Sequence, residues 1–263
     1  MQLAVAATAP FGADLLGRLA ERHDVTAVLT RPDAPRGRGR KTAAPPAKET
    51  AERLGILVLQ PERPESGMEL GADAVVVAAY GLLIPEPVLA ERLWLNVHPS
   101  LLPRWRGAAP VERAIMAGDV ETGVTIHETV KELDAGPIAA QRAFPIGAED
   151  DAGAVFGKAA ALAVELLDDV LPNPRFTPQD EHGVTYAAKI TAADRELDWN
   201  DPPHELLNKV RALSPHIGAR AELHGRGVTI WNARVAGGRL EPLEVQPDGK
   251  RRMTYDEFLR GIR

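Results

Sequence analysis

The chain predicts an α/β fold in two parts, a Rossmann-like domain built on a parallel sheet and a small β-rich domain after it. Three observations carry this. Four short, nearly unbroken apolar runs in the N-terminal part are separated by amphipathic stretches, the pattern of parallel strands buried on both faces with crossover helices between them. The longest helical pattern, Asp151 to Leu171, is followed by Pro172, Pro174 and Pro178, which interrupt any regular element. After Pro203 the periodicity changes to short alternating runs punctuated by glycines, as in an antiparallel sheet.

In chain order, the runs LAVAAT (3–8), VTAVLT (25–30), ILVLQ (56–60) and DAVVVAAY (73–80) read as buried strands. ADLLGRLAERH and PAKETAERLG place apolar residues on one helical face and charges on the other. WLNVH, TGVTIHETV and IAAQRAFPI add strands, and the Asp151–Leu171 helix closes the domain. A turn-rich linker leads to a helix over HELLNKVRALS and then to GARAELHG, RGVTIWNARV and RLEPLEVQ, three strands of a small sheet or partial barrel. Thr254 with Glu257 forms a capping box that opens a last short helix, YDEFLR.

Composition narrows the chemistry. There are no cysteines, which removes disulfides, thiolate catalysis and cysteine-bound zinc. The seven histidines show no His-x-x-x-His pair, so no metal site is expected. No apolar run approaches the roughly 18 residues of a membrane span, and the N-terminus lacks the basic start of a secretory signal, so a cytoplasmic protein is expected. The net charge of −6 hides an asymmetry. Arg31 to Lys48 holds six basic residues and one acidic, and Glu205 to the C-terminus holds eleven basic and seven acidic. Basic segments on an acidic body suggest a polyanionic partner.

Several common sites are missing. The first strand-to-helix turn, ATAPFGAD, lacks Gly-x-Gly-x-x-Gly, GRGRKT lacks the upstream glycine of a P-loop, and Ser100 does not sit in Gly-x-Ser-x-Gly. The stretch NVHPSLLPRWRGAAP, Asn96 to Pro110, holds more promise. Asn96 and His98 lie two apart at the end of a strand, so both side chains leave the same face, at the carboxyl ends of the strands where open α/β folds bind ligands. An amide donor beside an imidazole, with no serine or cysteine nucleophile, suits stabilising the oxyanion of a carbonyl attacked by an external nucleophile. In VKELDAGPI, Asp134 is placed to hold His98 protonated and to accept a proton from an attacking amine. Read alone, Asn-x-His is a weak signal, and an Asp before Ala-Gly-Pro is more often a turn residue than a catalyst.

NVHPSLLPRWRGAAP, with AAYGLLIP upstream and LDAGP downstream, resembles the formyltransferase family that uses 10-formyltetrahydrofolate. RWRGAAP, RPDAPRGRGRK, TYAAKI, the DW of ELDWN and VTIWNARV are similar to the members of that family that act on methionyl-tRNA, and the likeness covers nearly the whole chain. The resemblance implies transfer of the formyl group to the α-amine of methionine on initiator tRNA by direct amine attack, in a monomer with no metal. It implies catalytic roles for Asn96, His98 and Asp134, folate contacts from Leu83, Ile84, Ser100, Leu101, Leu102 and Pro103, and tRNA contacts from Arg36, Arg38, Arg40 and Lys41. It implies a catalytic domain over 1–175, a linker over 176–203 and a tRNA-binding domain over 204–263 shaped as a partial OB-like barrel.

Three departures stand out. The first turn has Ala-Ala-Thr-Ala-Pro where the family usually has Ala-Gly-Thr-Pro-Asp. Glu132 replaces a common glycine, which predicts an altered path for the Asp134 loop. The C-terminal segment omits one or two strands, which predicts an open small sheet. Competing readings are a formyltransferase acting on an amino-sugar nucleotide, which the basic loop disfavours, and a non-catalytic tRNA- or folate-binding protein, which the intact Asn96, His98 and Asp134 disfavour.

Overall fold

The computed structural model describes residues 1–36 and 41–262, with the side chains of Arg36 and Lys41 left aside. Its first elements are β1 (Gln2–Ala7), α1 (Pro10–Ala20), β2 (Asp24–Leu29), β3 (Ala34–Arg36), β4 (Lys41–Ala43), α2 (Pro46–Leu54), β5 (Leu57–Leu59) and β6 (Ala74–Ala78). Next come α3 (Glu86–Leu89), β7 (Leu93–His98), β8 (Arg106–Gly107), α4 (Pro110–Met116), β9 (Glu121–Glu128), β10 (Ile138–Pro145) and α5 (Ala152–Val170). The remainder holds β11 (Tyr186–Ala187), α6 (Ala192–Arg195), α7 (Pro203–Leu213), β12 (Ala219–Leu223), β13 (Arg226–Ala236), β14 (Arg239–Pro247), β15 (Met253–Thr254) and α8 (Tyr255–Arg260).

These elements gather into two compact units. The first takes Met1–Arg106, Gly123–Ala143 and Gly157–Thr185; the second takes Gly107–Thr122, Phe144–Phe156 and Tyr186–Arg263. The central sheet has seven strands in the order β10-β9-β7-β6-β1-β2-β5. Strands β1, β2, β5, β6 and β7 run parallel, and β9 runs antiparallel to β7. The predicted parallel sheet is therefore mixed at the end that carries β9.

The apolar runs became strands because both faces are covered: every residue of β6, and Leu3 to Ala7 of β1, is buried. Proline at the first turn opens both α1 and α2, where its missing N–H costs nothing, and Gly55 closes α2 in the left-handed region. One face of the sheet packs Ala4, Leu29, Val75, Tyr80, Ile84 and Trp94 into a core. Gly12 explains how α1 seats over this sheet without a glycine-rich motif, since a Cβ there would lie 2.4 Å from the Ala78 carbonyl oxygen and 2.7 Å from Ala7 Cβ.

In the second unit β12, β13, β14 and β15 form an open four-stranded antiparallel sheet rather than a closed barrel. Its core joins Leu206, Val210 and Leu213 of α7 to Val228, Ile230 and Val245 of the sheet, with Phe258 of α8. The Thr254–Glu257 capping box is present, and a second, Thr191 with Asp194, opens α6. Arg113 bonds Asp194 at 2.7 Å, and this together with the Thr191 hydrogen bonds holds the Asp194 carboxyl far below the usual range.

Candidate active site

The site grows from one pair of strands. β7 and β9 are in register with Asn96 opposite His127 and His98 opposite Thr125. Alternation along both strands then sends Asn96, His98, Thr125 and His127 to one face of the sheet. Asp134 arrives from the loop between β9 and β10, and all these residues belong to the first unit.

The three predicted catalytic residues meet. Asn96 Nδ2 donates to Asp134 Oδ1 at 3.1 Å, and His98 Nδ1 lies 3.6 Å from Asp134 Oδ2. The other imidazole nitrogen is committed: His98 Nε2–H donates to the Trp105 carbonyl at 2.8 Å, since a carbonyl can only accept. Trp105 itself sits at φ +64° and Asp134 at φ +49°, the left-handed region that most side chains avoid. Two strained backbone positions therefore aim the carbonyl and the carboxylate at one ring. Glu132, two residues earlier, is not among the positive-φ residues.

His127 was not singled out from the sequence, yet it completes the arrangement. Its Nδ1–H donates to the Glu128 carbonyl at 2.8 Å, which leaves Nε2 as an acceptor for Asn96 Nδ2 at 3.0 Å. The Asn96 amide group thus has its nitrogen turned toward two acceptors, His127 and Asp134, and its orientation is unambiguous. Burial, and then repulsion from His98, lowers the His127 pKa from 6.5 to about 4. A usable signal existed, because Thr125-x-His127 repeats on β9 the alternation of Asn96-x-His98 on β7.

The sign of the resulting pH effect follows from linkage. The unfolded chain takes up a proton on His127 near pH 6.5 while the native chain resists until about pH 4, so stability falls as pH drops through that window. His127→Gln keeps a side-chain acceptor for Asn96 and removes the titration. Its thermal midpoint should fall less steeply than the wild-type midpoint between pH 6.5 and 4. Parallel midpoint curves for the two proteins would rule this out.

The residues expected to border folate divide. The Ser100 hydroxyl is fully buried and donates to the Arg104 carbonyl at 2.7 Å, so it shapes the turn from within. Leu102 is buried, its N–H bonded to Thr125 Oγ1 at 3.1 Å, while Leu101 and Pro103 are half-buried. Ile84 packs into the sheet core, whereas Leu83 is 69% exposed, and Leu133 beside Asp134 is 66% exposed. Of the basic loop, Arg36 and Lys41 pair through their backbones as the last pair of β3 and β4 before the connection, and Arg38 and Arg40 lie outside the described residues. Lys48 of the same basic run is ion-paired with Asp33 at 2.8 Å. Among the described residues no cluster of three or more His, Asp or Glu could hold a metal, and no helix is long and apolar enough to cross a membrane.

The formyl transferase family model matches residues 1–171, and the model of the formyl transferase C-terminal domain matches residues 189–239. The chain belongs to the formyl transferase family. This formyl transferase is 40% identical over 292 residues to the methionyl-tRNA formyltransferase of Paracoccus denitrificans, covering 100% of this chain and 98% of the relative. It is 41% identical over 257 residues to that of Chromobacterium violaceum, covering 92% and 83%. Among solved structures, it resembles the methionyl-tRNA formyltransferase from Clostridium thermocellum with a TM-score of 0.68 at 14% identity, over 94% of this chain and 98% of that one. HypX from Aquifex aeolicus in complex with tetrahydrofolic acid gives a TM-score of 0.70 at 21% identity, over 98% of this chain and 46% of HypX, so the formyl transferase spans about half of that protein. At such identities the two structures speak to the fold.

Proposed function

We propose that this formyl transferase moves the formyl group of 10-formyltetrahydrofolate to the α-amine of methionine on initiator tRNA, acting as a cytoplasmic monomer. The observation that carries the chemistry is the convergence of Asn96, His98 and Asp134 at the carboxyl end of β7. Full-length relatives named methionyl-tRNA formyltransferase support the choice of acceptor.

The folate supplies a formyl carbon electrophilic enough for an amine to attack. The protein has to accept a proton from that amine and to face the negative charge that develops on the formyl oxygen. Asp134 is the acceptor, since a free α-amine has a pKa near 7.7 to 8.0 and benefits from a nearby base at neutral pH. His98 Nδ1–H and the Asn96 N–H now bonded to Asp134 Oδ1 are the two donors for the oxygen. As the carboxylate takes a proton it becomes a poorer acceptor, and that Asn96 N–H is released to the developing charge. Transfer breaks the bond between the formyl carbon and N10, tetrahydrofolate leaves with the proton that Asp134 accepted returned to N10, and no covalent enzyme adduct is required. The exposed Leu83 and Leu133 offer apolar surface to a flat ring.

Incubation with 10-formyltetrahydrofolate and either methionyl initiator tRNA or amino-sugar nucleotides tests the reading. Formyl-methionyl-tRNA is the expected product, and formylation of the sugar amine alone would replace the proposal. For tRNA contact, Arg38, Arg40 and Lys41 changed together to Ala should flatten the salt dependence of binding, each lost phosphate contact reducing the log–log slope by about 0.7 to 0.9. An unchanged slope would return the loop to ordinary solvated surface.

A further inference from the structure

We infer that Gln179 is a positioning residue that holds the Asp134 carboxylate in register for proton transfer, with Arg106 fixing the orientation of its amide. The inference rests on the formyl-transfer reading above and deepens it. Gln179 comes from the proline-rich stretch that reads as linker in the sequence, yet Thr177 bridges Ile138 in an antiparallel pair, N–H to carbonyl at 2.7 and 2.9 Å, and so anchors the segment beside the start of β10.

From there Gln179 Nε2 donates to the Asp134 carbonyl and to the Gly136 carbonyl, both at 2.8 Å. These two carbonyls belong to one turn, the same turn that places Asp134 at φ +49°. A single primary amide can serve two acceptors at once only if its oxygen points away. Arg106 enforces that, donating from Nε at 3.1 Å and from Nη2 at 2.6 Å to Gln179 Oε1. Arg106 is 6% exposed and its backbone N–H is tied to the Thr185 carbonyl at 2.9 Å, so the guanidinium is a fixed base for the clamp.

The opposite side of the turn is closed by contact. A Cβ added to Gly136 would lie 1.8 Å from the Glu128 carbonyl oxygen, so only glycine fits. The turn is thus pressed against the end of β9 on one side and tied by Gln179 on the other. The Gln179 amide bonds backbone carbonyls of the turn, and the Arg106 guanidinium bonds Gln179 Oε1. Their effect passes through the backbone of the turn to where the carboxylate sits relative to Asn96 and His98.

Two variants of the full chain test this. Gln179→Glu keeps shape and the Arg106 acceptor but turns an oxygen toward the two carbonyls; Gln179→Met removes the donors without adding charge. Since misplacement of a catalytic group by about 1 Å can cost roughly 100-fold, both should lower kcat by about that factor. KM for folate and for methionyl-tRNA should stay within about threefold of wild type, because the ligand-facing surface is untouched. A residue that only supported the fold would shift both KM values and the thermal midpoint with no selective loss of kcat, and that result overturns the inference. So does an unchanged kcat, or a loss confined to the Glu variant, which would indicate charge repulsion rather than a missing clamp. Wild-type protein that fails to formylate methionyl-tRNA would instead defeat the functional reading itself.

Discussion

Asp134→Asn is expected to lower kcat for formyl transfer by about 100- to 10,000-fold, the range over which a positioned general base contributes. The substitution is close to isosteric, and the arrangement explains why it should leave the site assembled. The new amide oxygen can still accept from Asn96 Nδ2, now 3.1 Å from Asp134 Oδ1, and the new amide nitrogen can face His98 Nδ1 across the present 3.6 Å separation. What disappears is the capacity to take a proton from the attacking amine, together with the negative charge that faces His98 Nδ1. Binding of tRNA should stay near normal, because the basic loop is remote in sequence and unaltered. Single-turnover formylation beside a tRNA-binding titration separates the two effects. Full turnover in this variant would remove Asp134 as the base.

His98→Ala carries the second large effect. Loss of one oxyanion donor typically costs about 2.7 to 4 kcal/mol, or roughly 100- to 1000-fold in rate. A stability cost accompanies it, since the Trp105 carbonyl loses the N–H that His98 Nε2 provides at 2.8 Å. The loss of one such hydrogen bond costs about 0.5 to 1.5 kcal/mol. The thermal midpoint should therefore drop along with kcat, and kcat must be read well below that midpoint. A rate near wild type in the folded variant would show that His98 does not face the formyl oxygen.

Much of the architecture was legible because it follows from burial. The runs that became β1, β2 and β6 are apolar on both faces because both faces are covered, and the Thr254 capping box acts over four residues without help from the rest of the chain. The shared face of Asn96 and His98 followed from strand alternation. The β3–β4 hairpin and α4 went unread because short elements of mixed composition leave little periodicity.

Asp134 was ambiguous from its own neighbours, since its position depends on a turn held by groups distant in sequence; the family resemblance made it a candidate. Gln179 gave no signal for a related reason. It lies among prolines with no regular pattern, and its meaning appears only when Thr177 pairs with Ile138. The charge count singled out Arg31 to Lys48, but spacing could not reveal that Lys48 is tied to Asp33. The family and the α/β fold with a small β-rich domain agree with the sequence reading, whereas the central sheet, read as parallel, is mixed at its β9 end.

The bond from His98 to the Trp105 carbonyl has a bearing on where protons go. With one ring nitrogen occupied by the chain's own backbone, this imidazole has a single nitrogen left for a ligand, so on the proposed mechanism it donates from a fixed position and does not relay a proton. On the proposed mechanism the proton taken from the amine is held by the Asp134 carboxylate until it passes to the leaving nitrogen of the folate. The position of that proton is therefore set by the turn that carries residue 134.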